Sequence, residues 1–538
     1  MQSNNALMIE QMHKLNEIGI ALSAERDTGR LLEKILSGAM ALSKADAGTI
    51  YTVTDDNKLN FEVLANNSLA IVPGRITEAT FEPISLFDPE TGAANTSTVD
   101  TSVVHRREAI NISDVYGTED FDFSGTHSFD EKSGYHTRSL LTIPMKNHEN
   151  DIIGVLQLIN CIDESSGEVV SFSSEKQHLA ESLASQAAVA LTNKRLIDDL
   201  NDLFEAFIKL IATAIDDKSP YTGGHCRRVP ELTMMLAEAA SSSDQGSLAD
   251  FRLSDEARNE LNVAAWLHDC GKITTPEYVM DKATKLETIY DRIHEIDLRF
   301  ELMKRDHELE MLKEKLRRAQ AGQDYSDLEQ AFEAQCRAWD EERAFLHQSN
   351  VGGEYMDEEK QQRVRDIGAQ SYLSSEGVRT RLLSDDEIEN LIISKGTLTD
   401  EERNIINHHI VATIKMLESL PFPKHLKNVP EYAGGHHERM DGRGYPRGLT
   451  RDQMSVPARV MAIADIFEAL TAEDRPYKKG KKLSECLRIM GLMKEDNHID
   501  PELFRVFIDE KVYMQYAQKF LHKDQIDEID PALIPGYA

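Results

Sequence analysis

The chain has 538 residues, 41% hydrophobic and 28% charged, with a formal net charge of -33 at pH 7. That length exceeds one core and implies roughly two to four domains of ordinary globular composition. The acidic balance argues against a nucleic-acid scaffold, which needs clustered Lys and Arg, but a metal or a few bases can still admit a small anionic ligand.

The cysteines Cys161, Cys226, Cys270, Cys336 and Cys486 form no CxxC pair and no even framework, which points to a reducing compartment. The first residues are amphipathic with early charges and lack the apolar core of a signal peptide. No run reaches the ~18 apolar residues of a membrane span. The expectation is a cytoplasmic protein with no membrane span and no nucleic-acid partner.

In residues 1–170, "AGTIYTV", "KLNFEVLA", "SLLTIPM" and "DIIGVLQLIN" are short and rich in β-branched and aromatic residues, with turn-formers between them. They predict an antiparallel sheet with helices at both ends. Segment 84–138 reads as loop-rich, either a lid over a small-molecule pocket or simply a long connection. Residues 174–219 contain neither Pro nor Gly, and Ser174 and Gln177 have capping-box spacing. Leu179, Leu183, Ala187, Ala190, Ile197, Leu200, Phe204 and Ile208 keep a helical period, predicting one long helix that joins two domains or forms a dimer seam. The strands "SLLTIP" and "GVLQLIN" and the closing helix "HLAESLASQAAVAL" resemble a GAF domain over 1–195. The resemblance implies a sensory or dimerisation module with an unidentified small-molecule ligand. Asn160 is followed by Cys161, and the remainder of the cyclic-nucleotide signature of that family is absent.

Residues 200–286 and 396–520 read as helical. Between them, Ile289, Ile293, Ile296, Phe300, Met303, Leu309, Leu312 and Leu316 recur among charged residues; "AGQDYS" interrupts, and a second charged helix covers about 328–346. This predicts a helical hairpin packed as a coiled coil, inserted over 288–393.

The polar residues of the helical region converge on one chemistry. His225 in "PYTGGHCRRV" stands where a helix restarts, and His268 and Asp269 in "WLHDCGK" end an apolar helical run. His408 and His409 lie in a helix start, His436 and His437 precede "DGRGYP", and Asp465 sits in the apolar helix "ARVMAIADIFEAL". An ionised carboxylate among such neighbours is expensive unless it is paired or binds a metal. Imidazoles and carboxylates together suit Fe or Mn, with Ni or Zn as alternatives. A carboxylate has two oxygens and can bridge two ions, which makes Asp269 the expected bridge. Ions ~3.5–4 Å apart can clamp a phosphoryl oxygen and bring water to a pKa near 7, which suits phosphodiester hydrolysis.

"HDCGK" followed by "HHERMDGRGYPRGL" resembles the HD-GYP branch of the HD phosphohydrolases, with "DKSPYTGGHCRRV", "VPARVMAIADIFEALTA" and "DRPYK" extending the likeness over about 206–489. The resemblance implies an all-α domain, spanning 200–538 here, that hydrolyses cyclic di-GMP to pGpG or GMP with two divalent transition-metal ions. It makes His225, His268, Asp269 and Asp465 ligands of one ion, and Asp269, His409, His436 and His437 ligands of the other. His409 is chosen over His408 by its spacing to Leu417. Lys272 becomes the contact to the scissile phosphate, and Arg475 and Lys478 further phosphate contacts. Gly444 and Tyr445 belong to a turn that borders the substrate, with Gly442 letting it bend and Asp441 tying it to the metal-binding helix. That turn and the insertion are also candidate protein-docking surfaces, and a homodimer is expected.

Three departures mark this chain. Tyr221 stands where some members carry a third-metal Glu, so two ions are expected, with Asp216 or Asp217 as the nearest substitutes. "MDKATKLE" (280–287) and "ISKGTLTDEE" (393–402) both resemble the same family segment, so the hairpin interrupts it. Glu468 replaces a typical Asp. Two rival readings stay open from sequence: an HD hydrolase of another nucleotide, such as cyclic GMP-AMP or an alarmone, and a catalytically silent cyclic-dinucleotide receptor.

Overall fold

The structure, a computed structural model, describes residues 2–25, 27–75, 82–218, 224–244, 246–473 and 480–537. It divides into two compact units, Met1–Leu203 and Phe204–Ala538. The first begins with α1 (Gln2–Ala24) and α2 (Thr28–Ser43), the latter capped by the Asp27 carboxylate accepting the Arg30 N–H. Strands β1 (Ala45–Val53), β2 (Lys58–Asn66), β3 (Ile71–Arg75) and β4 (Ile84–Ser85) follow, then α3 (Val99–Arg106), β5 (Ile110–Ile112), α4 (Ser124–Ser133), β6 (Leu140–Lys146), β7 (Ile152–Ile162) and β8 (Val169–Val170). The sheet runs β3-β2-β1-β7-β6-β5, with β4 on β2 and β8 on β7, and every pairing is antiparallel.

Because side chains alternate along a strand, Ile50, Leu141 and Leu156 point to one face and Tyr51, Leu140 and Val155 to the other. The first face packs on Leu32, Ile35 and Leu36 of α2 and on Leu183, Ala184 and Ala187 of α5 (Ser174–Asp216). The second is covered by segment 84–138, which is loop-rich as expected and carries the two short helices α3 and α4. The cap of α5 is Ser173, one residue before the sequence expectation: its hydroxyl accepts the Lys176 N–H at 3.3 Å. The Gln177 side chain instead bonds Glu181 and Asn111.

The second unit is helical: α6 (His225–Ser241), α7 (Asp255–Leu267), α8 (Glu277–Met280), α9 (Ile293–Gln320), α10 (Ser326–Asn350), α11 (Glu358–Gly368), the ribbon β9 (Ser371–Leu373) and β10 (Arg379–Arg381), α12 (Asp385–Leu391), α13 (Asp400–Glu418), α14 (Val429–Gly434), α15 (Val456–Thr471), α16 (Leu483–Glu495), α17 (Pro501–Asp509) and α18 (Val512–Phe520). Its main core gathers Val229, Leu232, Leu261, Val460, Ile463, Phe467 and Phe507. No helix among the described residues is long and apolar enough to cross a membrane.

The insertion has a core of its own. Ile296, Phe300 and Met303 of α9 meet Leu346 of α10, Val364 and Ile367 of α11, and Leu391 of α12. It is therefore more than the expected coiled coil. Ile289 is 94% exposed and precedes the helix, and Leu309, Leu312 and Leu316 face solvent. Beyond Met303, His307 still meets Phe332 and Trp339, and ion pairs join the two helices: Lys304 with Asp340, Lys315 with Glu329 and Arg318 with Asp327. The two similar segments at its ends lie side by side. The Lys282 ammonium bonds both Glu402 oxygens (2.8 and 2.7 Å) and Asn390, and Lys285 donates to the carbonyls of Leu391 and Ile393. Burial pushes the Lys285 ammonium down to about 8. Glu402 also closes the capping box with Thr399 that starts α13.

The chain has two tryptophans, Trp266 beside the main core and Trp339 in the insertion. Phe300→Ala should destabilise the insertion by about 3–5 kcal/mol, the usual result of emptying a buried aromatic site. In denaturant melts of single-tryptophan variants, the Trp339 transition is expected to shift well beyond that of Trp266.

Candidate metal centre

His225 is the first residue of α6. Two side chains at the end of α5 fix its neighbourhood. Asp216 accepts the N–H groups of Gly224 and Cys226 (3.1 Å each), and Lys218 donates to the carbonyls of Lys272 (3.2 Å), Ile273 (2.6 Å) and Thr275 (2.6 Å). His268 caps α7, and Asp269 opens the tight turn Cys270–Thr274. That turn is docked on α13 by the Gly271 N–H donating to Thr413 Oγ1 at 2.9 Å. His409 lies in the middle of α13, not at a helix start, because the Thr399–Glu402 capping box begins the helix well before it. His436 and His437 follow α14, and Asp465 lies on α15.

The folded chain brings these seven side chains into two adjoining clusters, His225–His268–Asp269–Asp465 and His409–His436–His437, with donor atoms within 4.8 Å of one another in each. Asp269 faces both. Its Oδ2 lies 3.1 Å from His225 Nε2 and 3.2 Å from His268 Nε2, and its Oδ1 lies 3.3 Å from His409 Nε2. Asp465 Oδ1 is 3.3 Å from His225 Nε2, and His437 Nε2 is 3.3 Å from His409 Nε2.

The donor chemistry fits divalent metals. His268, His409 and His436 each donate from Nδ1 to a backbone carbonyl, of Ala265, Ile406 and Ala433 respectively (2.7, 2.5 and 2.6 Å). His225 Nδ1 donates to Glu468 at 2.5 Å. These bonds leave the Nε2 atoms converging, the ring orientation of metal-ligating histidines. Asp269 Oδ1 and His436 Nε2 are buried without a hydrogen-bond partner. The contact of Asp269 Oδ1 with His409 is a close approach that lacks hydrogen-bond geometry. Orphaned buried polar atoms are unfavourable, and a cation between the clusters would satisfy both.

Burial disfavours charge on His225 and His268, but the surrounding carboxylates outweigh it. His225 is held well above the ordinary histidine value, chiefly by Glu468, and His268 is raised to about 9, chiefly by Asp269. Burial, reinforced by neighbouring imidazoles, lowers His436 well below that value and His437 to about 4. Burial would raise Asp269, yet Lys272, His268 and His225 hold it well below the carboxylate range.

Lys272 Nζ lies 2.5 Å from Asp269 Oδ2, on the tight turn at the edge of the clusters. Tyr445 stacks on His437, centroids 4.9 Å apart and 24° between planes. Gly442 has φ +77°, the left-handed region that glycine adopts without strain. A Cβ at Gly444 would lie 2.4 Å from Arg439 N, so a glycine is required here for the turn to close on its own backbone. Asp441 binds Arg443, and Arg439 links it to Asp496, so Asp441 itself is tied to the end of α16; it is Arg447, just past the turn, that reaches a metal-bearing helix, through Glu418 of α13 at 3.1 Å. Arg475, Lys478 and Tyr221 lie outside the described residues.

Sequence reasoning missed Asp216 and Lys218 as clamps, and it missed Glu438. That carboxylate is 1% exposed and accepts the N–H groups of Arg447 (2.7 Å) and Leu449 (2.9 Å), which holds the turn. A charged residue between the histidines and the glycines was the only available signal. Glu468 was visible as a retained carboxylate, but not as the partner of His225 and Arg228. Glu468→Gln keeps an acceptor and removes the charge. It should weaken divalent-metal binding by about 10–100-fold, measured by competition with a chromophoric chelator.

Family models agree with this division of the chain. A GAF domain matches residues 27–191, and HD domain models match 222–366 and 381–503. The first HD match contains His225, His268 and Asp269, and the second contains His409, His436, His437 and Asp465. The chain is 40% identical over 113 residues to a cyclic di-GMP phosphodiesterase of Pseudomonas aeruginosa, covering 21% of this chain and 26% of the relative. It is 40% identical over 121 residues to 3'3'-cGAMP-specific phosphodiesterase 3 of Vibrio cholerae (22% and 25%). A cyclic di-GMP phosphodiesterase of Thermotoga maritima is 34% identical over 118 residues (22% and 31%). The chain thus spans about a quarter to a third of the length of these relatives. The family models thus place a GAF domain ahead of an HD domain, and these relatives that match the chain are cyclic-dinucleotide phosphodiesterases.

Proposed function

We propose that the second unit is a metal-dependent phosphodiesterase that opens a cyclic dinucleotide, cyclic di-GMP or its cyclic GMP-AMP relative, by hydrolysis, under control of the GAF domain. The observation that carries this reading is the position of Asp269, with one oxygen toward each cluster. His225, His268, Asp269 and Asp465 would hold one divalent ion, and Asp269, His409, His436 and His437 the other. Iron or manganese suits the imidazole and carboxylate donors best. Ions held there supply neutralisation of phosphate charge and water of lowered pKa.

The chain's own groups do the remainder. Lys272 stays an ammonium: burial opposes its charge, but Asp269 and Asp465 hold its pKa above the ordinary lysine value. It binds a phosphoryl oxygen and stabilises negative charge on the departing ribose oxygen. Tyr445 fixes the plane of His437 and walls the substrate side of the turn. Arg475 and Lys478 are proposed as further phosphate contacts.

The regulatory reading rests on the clamps at the end of α5, since a shift of Asp216 and Lys218 would move His225 and Lys272 together. A homodimer is supported by the face of that helix. Leu196, Leu200, Leu203, Phe207 and Leu210 follow a 4-3-4-3 spacing and are 54–64% exposed in the single chain. Asn193 continues the seam at an a position, where a polar residue fixes register in paired helices.

The test is anaerobic purification, metal quantification per chain, and parallel assay of cyclic di-GMP, 3'3'-cGAMP and an alarmone with Mn or Fe. Turnover of a cyclic dinucleotide is expected; binding without hydrolysis would favour a silent receptor. Asp269→Asn should strip metal from both clusters and lower turnover by about 10³-fold or more. Lys272→Met should keep the metal content and lower kcat by about 10²–10³-fold, the usual result of losing one transition-state charge contact.

A further inference from the structure

On the sheet face opposite α2, the first unit encloses a cavity of about 380 Å3 between β1, β2, β7 and the segment carrying α3 and α4. Tyr51, Phe61, Phe123, Phe129 and Tyr135 supply aromatic wall, and Asp100 of α3 reaches it from the side. Asp100 is 8% exposed; its carboxylate accepts from Gln157 Nε2 at 2.6 Å, and among the described residues no cationic group accompanies it. The other acid in the wall, Asp122, accepts the Ser124 N–H at 2.9 Å. Among the described residues lining the cavity there is no Lys, Arg or His.

This lining is wrong for a phosphate, which would meet carboxylates and no donor cation. Asn160, the one residue suggestive of a nucleotide signature, is fully engaged elsewhere. Its Oδ1 accepts the N–H groups of Arg138 and Ser139, and its Nδ2 donates to Tyr135 and His136. A buried carboxylate without a counter-ion is unfavourable, and burial lifts Asp100 to about 7. A cation would relieve that penalty, and aromatic faces stabilise it further.

We propose that the cavity binds a small organic monocation, a protonated amine on an aromatic or branched aliphatic body, with its ammonium on Asp100 and its body against the Phe61, Phe123 and Phe129 rings. The inference rests on the first unit alone and stands apart from the hydrolytic reading of the second.

Isothermal titration calorimetry on the full chain tests it with three probes: 2-phenylethylamine, the similarly shaped anion 3-phenylpropionate, and cyclic GMP. The amine is expected to saturate one site per chain and to bind at least about tenfold more tightly than either anion. Asp100→Asn should weaken the amine by about tenfold or more, and Asp122→Asn by less than about twofold. Absence of saturable amine binding, equal or tighter binding of either anion, or unchanged amine affinity in Asp100→Asn overturns the proposal. Should Asp100→Asn fail to fold, the comparison of amine with anions on the unsubstituted protein decides alone. Binding heat is read without turnover, so this outcome is independent of whether the second unit hydrolyses anything.

Discussion

A buried carboxylate flanked by imidazoles on both sides sets the terms for the second unit. Asp269 is 2% exposed, and its two oxygens look toward different histidine groups. Such a group is stable only where positive charge or strong donors surround it, and here Lys272, His225 and His268 meet that demand in the protein alone. The arrangement is poised for cations, because the ring nitrogens that converge on it are those left free once each Nδ1 is tied back to a carbonyl or to Glu468.

The surrounding fold can be understood as the means of holding five chain segments against this one point. α6 and α15 pack together in the main core and carry His225 and Asp465. The Cys270–Thr274 turn packs on α13, which brings Asp269 to His409. Glu438 and Tyr445 keep His437 in place from the far side of the glycine-rich turn. The insertion interrupts the sequence between Asp269 and His409 without separating them, because Lys282 and Lys285 pin its two ends together and Glu402 joins that pin to the start of α13. The proposed route of regulation uses the same logic, since Asp216 and Lys218 grip two of the segments that carry the site.

Some of the sequence expectations failed for identifiable reasons. The expected helical hairpin is present as α9 and α10, but apolar spacing could not say which part of its stripe is covered. Ile296, Phe300 and Met303 are buried because α11 and α12 close over them, whereas Leu309, Leu312 and Leu316 have no such cover. His409 was placed at a helix start because the capping box upstream was overlooked. Asp441 was assigned to a metal-bearing helix, although short side chains in tight turns usually bond locally, as this one does with Arg443.

Sequence alone determined the element types and the residue chemistry. Short runs rich in Ile, Val, Leu and Tyr between turn-formers marked the strands of the first unit, the Pro- and Gly-free stretch marked α5, and the clustering of His and Asp in short motifs marked the metal-ligand candidates. Those features are local, fixed by backbone periodicity and by the cost of leaving charge in apolar surroundings. Tertiary structure decided which atoms meet: that Asp269 stands between two histidine groups, that Glu468 and the clamps at 216 and 218 hold the ligand-bearing segments, and that Asp100 meets no counter-charge among the described residues lining its cavity. Contacts between residues hundreds of positions apart depend on how helices and sheet pack, and neither periodicity nor motif spacing encodes that.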